Sequence, residues 1–165
     1  LIRASRHPDR GDAIAALIAA RGLSFVRRSA GADDAPLGGV LLADTLGEMA
    51  RWYARAGICI IGGSLQDHGG HTPWEPAAHG CALIHGPHVG NFVEAFDALD
   101  GHGAARPAGD LAATLSRLTD TPHEARAMGR AARAVLVDRA GDPAALIARL
   151  DDLARASGGP DIGII

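Results

Sequence analysis

The sequence predicts an α/β fold: a Rossmann-like parallel sheet with helices on both faces. Three observations carry this. Six short β-prone runs alternate with longer helical stretches, the rhythm of βα units in a parallel sheet. The apolar fraction is 47% but aromatics make up only 4%, so the core has to be built from Ala, Val, Leu and Ile, which suits helices packed closely on a sheet. Nearly every chemically unusual residue follows a β-prone run, where strand ends meet helix starts and free backbone N–H groups favour anions.

Taken in order, the first strand is expected at 1–4 and leads into Ser5-Arg6-His7-Pro8-Asp9-Arg10, a loop closed by Pro8, then a helix at 12–21. A strand at 24–28 precedes the apolar run at 40–43, and Thr45 with Glu48 has the spacing of a capping box for a helix at 45–55. The strand at 58–61 runs into a Gly-rich turn, after which Thr72 and Pro73 sit as N-cap and first residue of a helix at 73–79. The strand at 82–85 is followed by a loop ending at Asn91, the expected N-cap of a helix at 91–99. A last strand at 104–107 precedes three closing helices at 109–118, 122–138 and 143–156, the second opened by Thr121 and Glu124.

A length of 165 residues suits one domain, and no linker or internal repeat divides it; the domain is placed at 1–156, with the Gly-rich segment 157–165 as a tail. The start at Leu1, inside a strand and without Met, reads as an excised piece. With 16 basic and 19 acidic residues spread along the chain, the net charge of −3 offers no footprint for nucleic acid or an anionic membrane. No stretch reaches the roughly 18 to 20 apolar residues needed to span a bilayer. Cys59 and Cys81 lie in apolar strand runs and are expected buried and reduced, at no metal-like spacing, in a reducing cytosol. The eight histidines, His68, His71, His79, His85 and His88 among them, match no common zinc pattern, so no metal is expected.

The segment richest in chemistry runs from Gly62-Gly63-Ser64 through Gly69-Gly70-His71 to Thr72-Pro73-Trp74-Glu75. Its glycines let the backbone turn sharply and approach a ligand, although it lacks the lysine of a P-loop and the spacing of dinucleotide folds. Glu75 reads in two ways, as the capping partner of Thr72 or as a carboxylate accepting hydrogen bonds from both ribose hydroxyls. Among the Glu residues with this spacing, Glu48, Glu75 and Glu94 are placed for the second role. Arg6 is positioned for a bidentate contact to phosphate, or for a surface ion pair with Asp9 or Asp12. The run His85-Gly86-Pro87-His88-Val89-Gly90-Asn91-Phe92 is a second ligand-facing loop.

Together and in order, SRHPDR, DTLGEM, IGGSLQDHGGHTPWEPAAHG and GPHVGNF resemble the 3-deoxy-D-manno-octulosonic acid (Kdo) transferases, over about residues 2–150. The resemblance implies the C-terminal lobe of a two-lobed GT-B glycosyltransferase, holding CMP-Kdo for transfer to lipid A. It aligns Ser5 and Arg6, then Leu46, Gly47 and Glu48, then Thr72, Pro73, Trp74 and Glu75 with the family's three CMP-contacting loops. The family commonly has Pro at Ser5, Met at Leu46, Asn at Thr72 and Leu at Trp74; the charged and glycine positions are kept. Gly63, Ser64, His71, His88 and Asn91 are further donor-site candidates.

The resemblance further implies an inverting transfer, no cofactor, and a general base in an N-terminal lobe. This chain would then hold no catalytic residue and be inactive alone. The lipid A precursor would be met through the other lobe, at the cytoplasmic face of the bacterial inner membrane. A UDP-sugar enzyme of the same architecture, or a non-catalytic nucleotide-binding module, is the alternative.

Overall fold

In the computed structural model, which describes residues 1–5, 7–141 and 143–156, the six β-prone runs form six strands. These are β1 (Ile2–Ala4), β2 (Phe25–Arg27), β3 (Val40–Ala43), β4 (Ile58–Ile61), β5 (Ala82–His85) and β6 (Ala105–Pro107). The helices are α1 (Gly11–Ala20), α2 (Met49–Arg55), α3 (Trp74–Ala78), α4 (Val93–Gly101), α5 (Leu111–Asp120), α6 (Pro122–Ala140) and α7 (Pro143–Ala156). Arg6 and the expected tail, 157–165, lie outside the described residues.

All strand pairings are parallel, as expected, but they form two three-stranded ladders, β1-β3-β2 and β4-β5-β6, in place of one continuous sheet. The joining edges would be β1 and β4. Each is an outer strand of its ladder, and β1 is only three residues long, with Arg3 exposed at its centre.

Both faces of β5 are covered. Leu83 joins Ala77, Cys81, Leu99, Ala104, Ala132 and Val135 in one cluster, while its neighbours Ala82 and Ile84 join Leu118, Ala125 and Met128 in another. Alternation along a strand sends successive side chains to opposite faces, so helices have to cover both. In the first ladder, Leu41 and Ala43 of β3 pack with Trp52 of α2. Arg51 and Arg55 lie over the Trp52 ring, 5.0 and 5.9 Å from its centroid.

At three helix starts the N-cap differs from expectation. α2 begins at Met49, not Thr45, because Gly47 has φ +79°, a left-handed conformation that interrupts a right-handed helix. Before α4, Gly90–Phe92 is a 3-10 turn and Phe92 is the N-cap; the Asn91 N–H is drawn instead to the Gly69 carbonyl at 3.0 Å. At α3, Pro73 is the N-cap and Trp74 the first residue, while Thr72 Oγ1 accepts from the Trp74 N–H at 3.3 Å. Thr121 is the N-cap of α6 with Pro122 after it, where the sequence puts them. Cys81 is buried, but Cys59 is only half-buried, because β4 is an outer strand; both are free thiols.

The small-residue core allows one very close approach. A Cβ at Gly129, in the middle of α6, would collide with the carbonyl of Gly80, in the turn between α3 and β5. Replacing an exposed helical Gly by Ala ordinarily gains about 1 kcal/mol. Here the sign reverses: Gly129→Ala is expected to lower the unfolding free energy by roughly 1–3 kcal/mol. Urea titration checks this, and an unchanged or higher midpoint would mean that α6 does not rest on this turn.

Candidate functional site

In an open parallel sheet the ligand crevice lies beyond the carboxyl ends of the strands, and the residues singled out in the sequence follow β1, β3, β4 and β5. After β1, Ser5 is buried; its N–H donates to the Ala43 carbonyl at 3.0 Å and its hydroxyl to the His7 carbonyl at 2.8 Å. Asp12, one suggested partner for Arg6, pairs with Arg27.

The loop after β3 is held by charge. Asp44, whose side chain is 1% exposed, accepts from the Ser29 N–H at 2.9 Å, the Ser29 hydroxyl at 2.8 Å and Arg27 Nε at 2.7 Å. Burial pushes its carboxyl upward, and the Ser29 and Arg27 bonds outweigh that and leave it below the usual value. Glu48 has Arg28 across it, with Nε 3.0 Å from both carboxylate oxygens and Nη2 2.9 Å from Oε1. The Thr45 hydroxyl and Arg51 also donate to it. The Thr45–Glu48 pairing is thus side chain to side chain, not a box closed on the backbone. Leu46, between them, is exposed.

The loops after β4 and β5 are tied by Ser64, which has no exposed surface. Its hydroxyl donates to the Ile61 carbonyl at 2.6 Å and accepts from the Gly86 N–H at 2.7 Å, while its carbonyl accepts from the His88 N–H at 3.0 Å. A Cβ at Gly63 would meet the His71 ring at 2.8 Å, and one at Gly69 would strike the Asn91 amide, so these glycines let neighbouring side chains lie on the backbone. Buried His85 directs Nδ1 to the Gly86 carbonyl at 2.8 Å and Nε2 to the Asp100 carboxylate at 3.2 Å.

Glu75 is exposed and makes no side-chain hydrogen bond among the described residues, so the capping partnership with Thr72 is not formed. Its helix α3 packs against α2, the helix that Glu48 precedes. Trp74, Asn91 and Glu94 meet around a cavity of about 440 Å³ whose further lining includes Phe92 and Arg139. Arg139 lies 5.9 Å from the centroid of the Trp74 ring. Among the described residues no group of three or more His, Cys, Asp or Glu side chains could hold a metal ion.

No family model matches the chain. It is 41% identical over 151 residues to the 3-deoxy-D-manno-octulosonic acid transferase of Bordetella pertussis, covering 89% of this chain and 35% of that protein. The Haemophilus influenzae enzyme of the same name is 38% identical over 96 residues, which is 58% of this chain and 22% of the enzyme. The crystal structure of the C-terminal CMP-Kdo binding domain of WaaA from Acinetobacter baumannii superposes with a TM-score of 0.76 at 30% identity. That match covers 82% of this chain and 72% of the domain. The chain belongs to the Kdo transferase family. It spans about a third of the length of the Bordetella relative.

Within this Kdo transferase fold, Asp44, Asp100 and Arg139 were passed over in the sequence, where His85 entered as the first residue of a ligand-facing loop and not as the partner of Asp100. Asp44 had one signal, an acidic residue directly after a wholly apolar strand. Arg139 had none, since it lies 65 positions after Trp74.

The Glu48 carboxyl is held down at about 2, chiefly by the Arg28 hydrogen bonds and then by Thr45. A depressed carboxyl contributes stability that is present above its unfolded value of about 4.3 and disappears as pH falls toward the folded value. Acid unfolding should therefore steepen between roughly pH 4 and pH 2, and Glu48→Gln should flatten that limb while lowering stability at pH 7. Parallel pH–stability curves for the two proteins would contradict this.

Proposed function

We propose that the chain is the donor-binding domain of a Kdo transferase and holds CMP-Kdo at the carboxyl edge of its parallel strands. One observation carries the reading: the similarity in both sequence and fold, over most of the chain, to a domain described as binding CMP-Kdo. The proposed CMP contacts are Ser5 and Arg6, then Leu46, Gly47 and Glu48, then Thr72, Pro73, Trp74 and Glu75, with Gly63, Ser64, His71, His88 and Asn91 near the donor. The domain proposed for this role spans 1–156, with 157–165 as a tail.

Exposed Glu75, free of a capping bond, is the carboxylate best suited to take both ribose hydroxyls. Glu48 is a poorer candidate, because Arg28, Arg51 and Thr45 already occupy its oxygens. In the proposed reaction a base on another lobe deprotonates a hydroxyl of a lipid A precursor, which attacks the anomeric carbon with inversion as CMP leaves. This domain positions the donor and stabilises charge on the departing phosphate, a task proposed for Arg6 and the start of α3. α3 has only five residues, so its dipole supplies less of that stabilisation than a long helix would. Among the described residues no helix is long and apolar enough to cross a membrane. Work at the cytoplasmic face of the inner membrane is therefore proposed for the whole enzyme, not for a membrane-spanning part of this domain.

Titrating the chain with CMP, UMP and ADP tests the donor: CMP should bind most tightly. Preference for UMP would favour a UDP-sugar donor, and no binding would favour a structural module. Glu75→Gln should weaken CMP by about 1.5–3 kcal/mol with little change in stability, while a 2′,3′-dideoxy nucleotide should be nearly indifferent to it. If CMP affinity does not change, the ribose contact lies elsewhere. The chain alone should show no Kdo transfer, and detectable transfer would overturn the placement of the base on another lobe.

A further inference from the structure

Four arginines beside the first ladder are neutralised. Arg27 pairs with Asp12 and Asp44, Arg28 with Asp33 and Glu48, Arg51 with Asp33 and Glu48, and Arg55 with Asp34. Arg3, the one arginine on β1, is not among them. It is exposed at the centre of β1, and no carboxylate among the described residues lies within ion-pairing distance of it. Its side chain donates from Nη1 to the Ala4 carbonyl, at 3.2 Å, which keeps the guanidinium at the carboxyl end of the strand.

That place has a second boundary. Gly62, the first residue after β4, has open space where a side chain would stand, except that Arg3 Nη1 lies 4.0 Å from its Cβ position. The guanidinium therefore lies between the carboxyl ends of β1 and β4, the outer strands of the two ladders, beside a backbone with no side chain to block approach. Chain direction diverges there: β1 is followed by strands of one ladder and β4 by strands of the other. In open parallel sheets this divergence opens the crevice that ligands enter.

We infer that the seam between β1 and β4, with Arg3 as its cation, is a subsite for the phosphate of the bound nucleotide. Guanidinium meets phosphate through two parallel N–H donors, and Gly62 leaves room for the phosphate oxygens against the main chain. The assignment rests on the donor-binding reading above and adds a positive charge on the strand itself to the loop contacts proposed there. It also gives a reason for an uncompensated charge at the middle of a strand, where an apolar residue is the ordinary occupant.

Calorimetric titration of the parent chain, Arg3→Gln and Arg3→Lys with CMP and with cytidine tests it. Arg3→Gln should weaken CMP by roughly ten- to a hundredfold, Arg3→Lys by less, and cytidine, which lacks the phosphate, should bind all three alike. Raising the salt concentration should weaken CMP more for the parent than for Arg3→Gln. Parent-like CMP affinity in Arg3→Gln overturns the subsite, as does an equal loss for cytidine, which would make Arg3 structural. If the parent binds neither ligand, the donor-binding reading fails and the subsite with it; tight CMP binding unaffected by Arg3 sinks the subsite alone.

Discussion

One buried hydroxyl organises the carboxyl edge of the second ladder. Ser64 has both its hydrogen-bonding directions filled inside the protein, by the Ile61 carbonyl and the Gly86 amide. Removing it would leave the Gly86 N–H without its partner in a dry place, a loss of about 1–3 kcal/mol. Gly86 has to be glycine, since a Cβ there would run into the Ser64 carbonyl. The two loops are therefore one body. His71 lies on it through Gly63, and Asn91 reaches across to Gly69, so side chains far apart in sequence are set by a shared backbone.

The first ladder is held differently. Its loops are joined by ion pairs around Asp44 and Glu48, and its apolar cluster is smaller, centred on Leu41, Ala43 and Trp52. The halves should respond to different stresses. Acid and salt act most on the charges of the first, while the second rests chiefly on packed Ala, Leu and Ile, with fewer ion pairs, Glu124 to Arg106 and Arg117 and His85 to Asp100.

What was legible in the sequence follows the range of the interactions involved. The strands Val40–Ala43, Ile58–Ile61 and Ala82–His85 stand at the positions that their apolar runs mark, because burial on both faces demands such runs. Thr121 stands at the N-cap position of α6, though its side chain makes no capping hydrogen bond, because Pro122 can follow it into a first turn. Thr45 and Asn91 carry the same local signal and do not stand at a helix N-cap. Gly47 turns the chain the wrong way after one, and the main chain of the other is claimed by Gly69, a partner that no local pattern reveals. The separation of the ladders, the Arg28–Glu48 pair and the meeting of Arg139 with Trp74 are likewise products of tertiary placement. The glycine loops were visible as loops, whereas their mutual support through Ser64 was not.

Burial raises the Cys81 thiol to about 11, and Cys59, for which burial is again the first cause and Cys81 the second, to about 12. The Cys81 Sγ lies 3.2 Å from the Ala56 carbonyl and 3.4 Å from that of Tyr53, so its one S–H is shared between them where α2 ends. Only the thiolate is nucleophilic, and a thiol raised this far holds its proton at neutral pH. The native domain thus contains two sulfurs that alkylating reagents meet slowly, and both become ordinary thiols once the ladder opens. The rate at which label enters these positions is a built-in clock for opening of the β4–β5 ladder, readable without adding a probe.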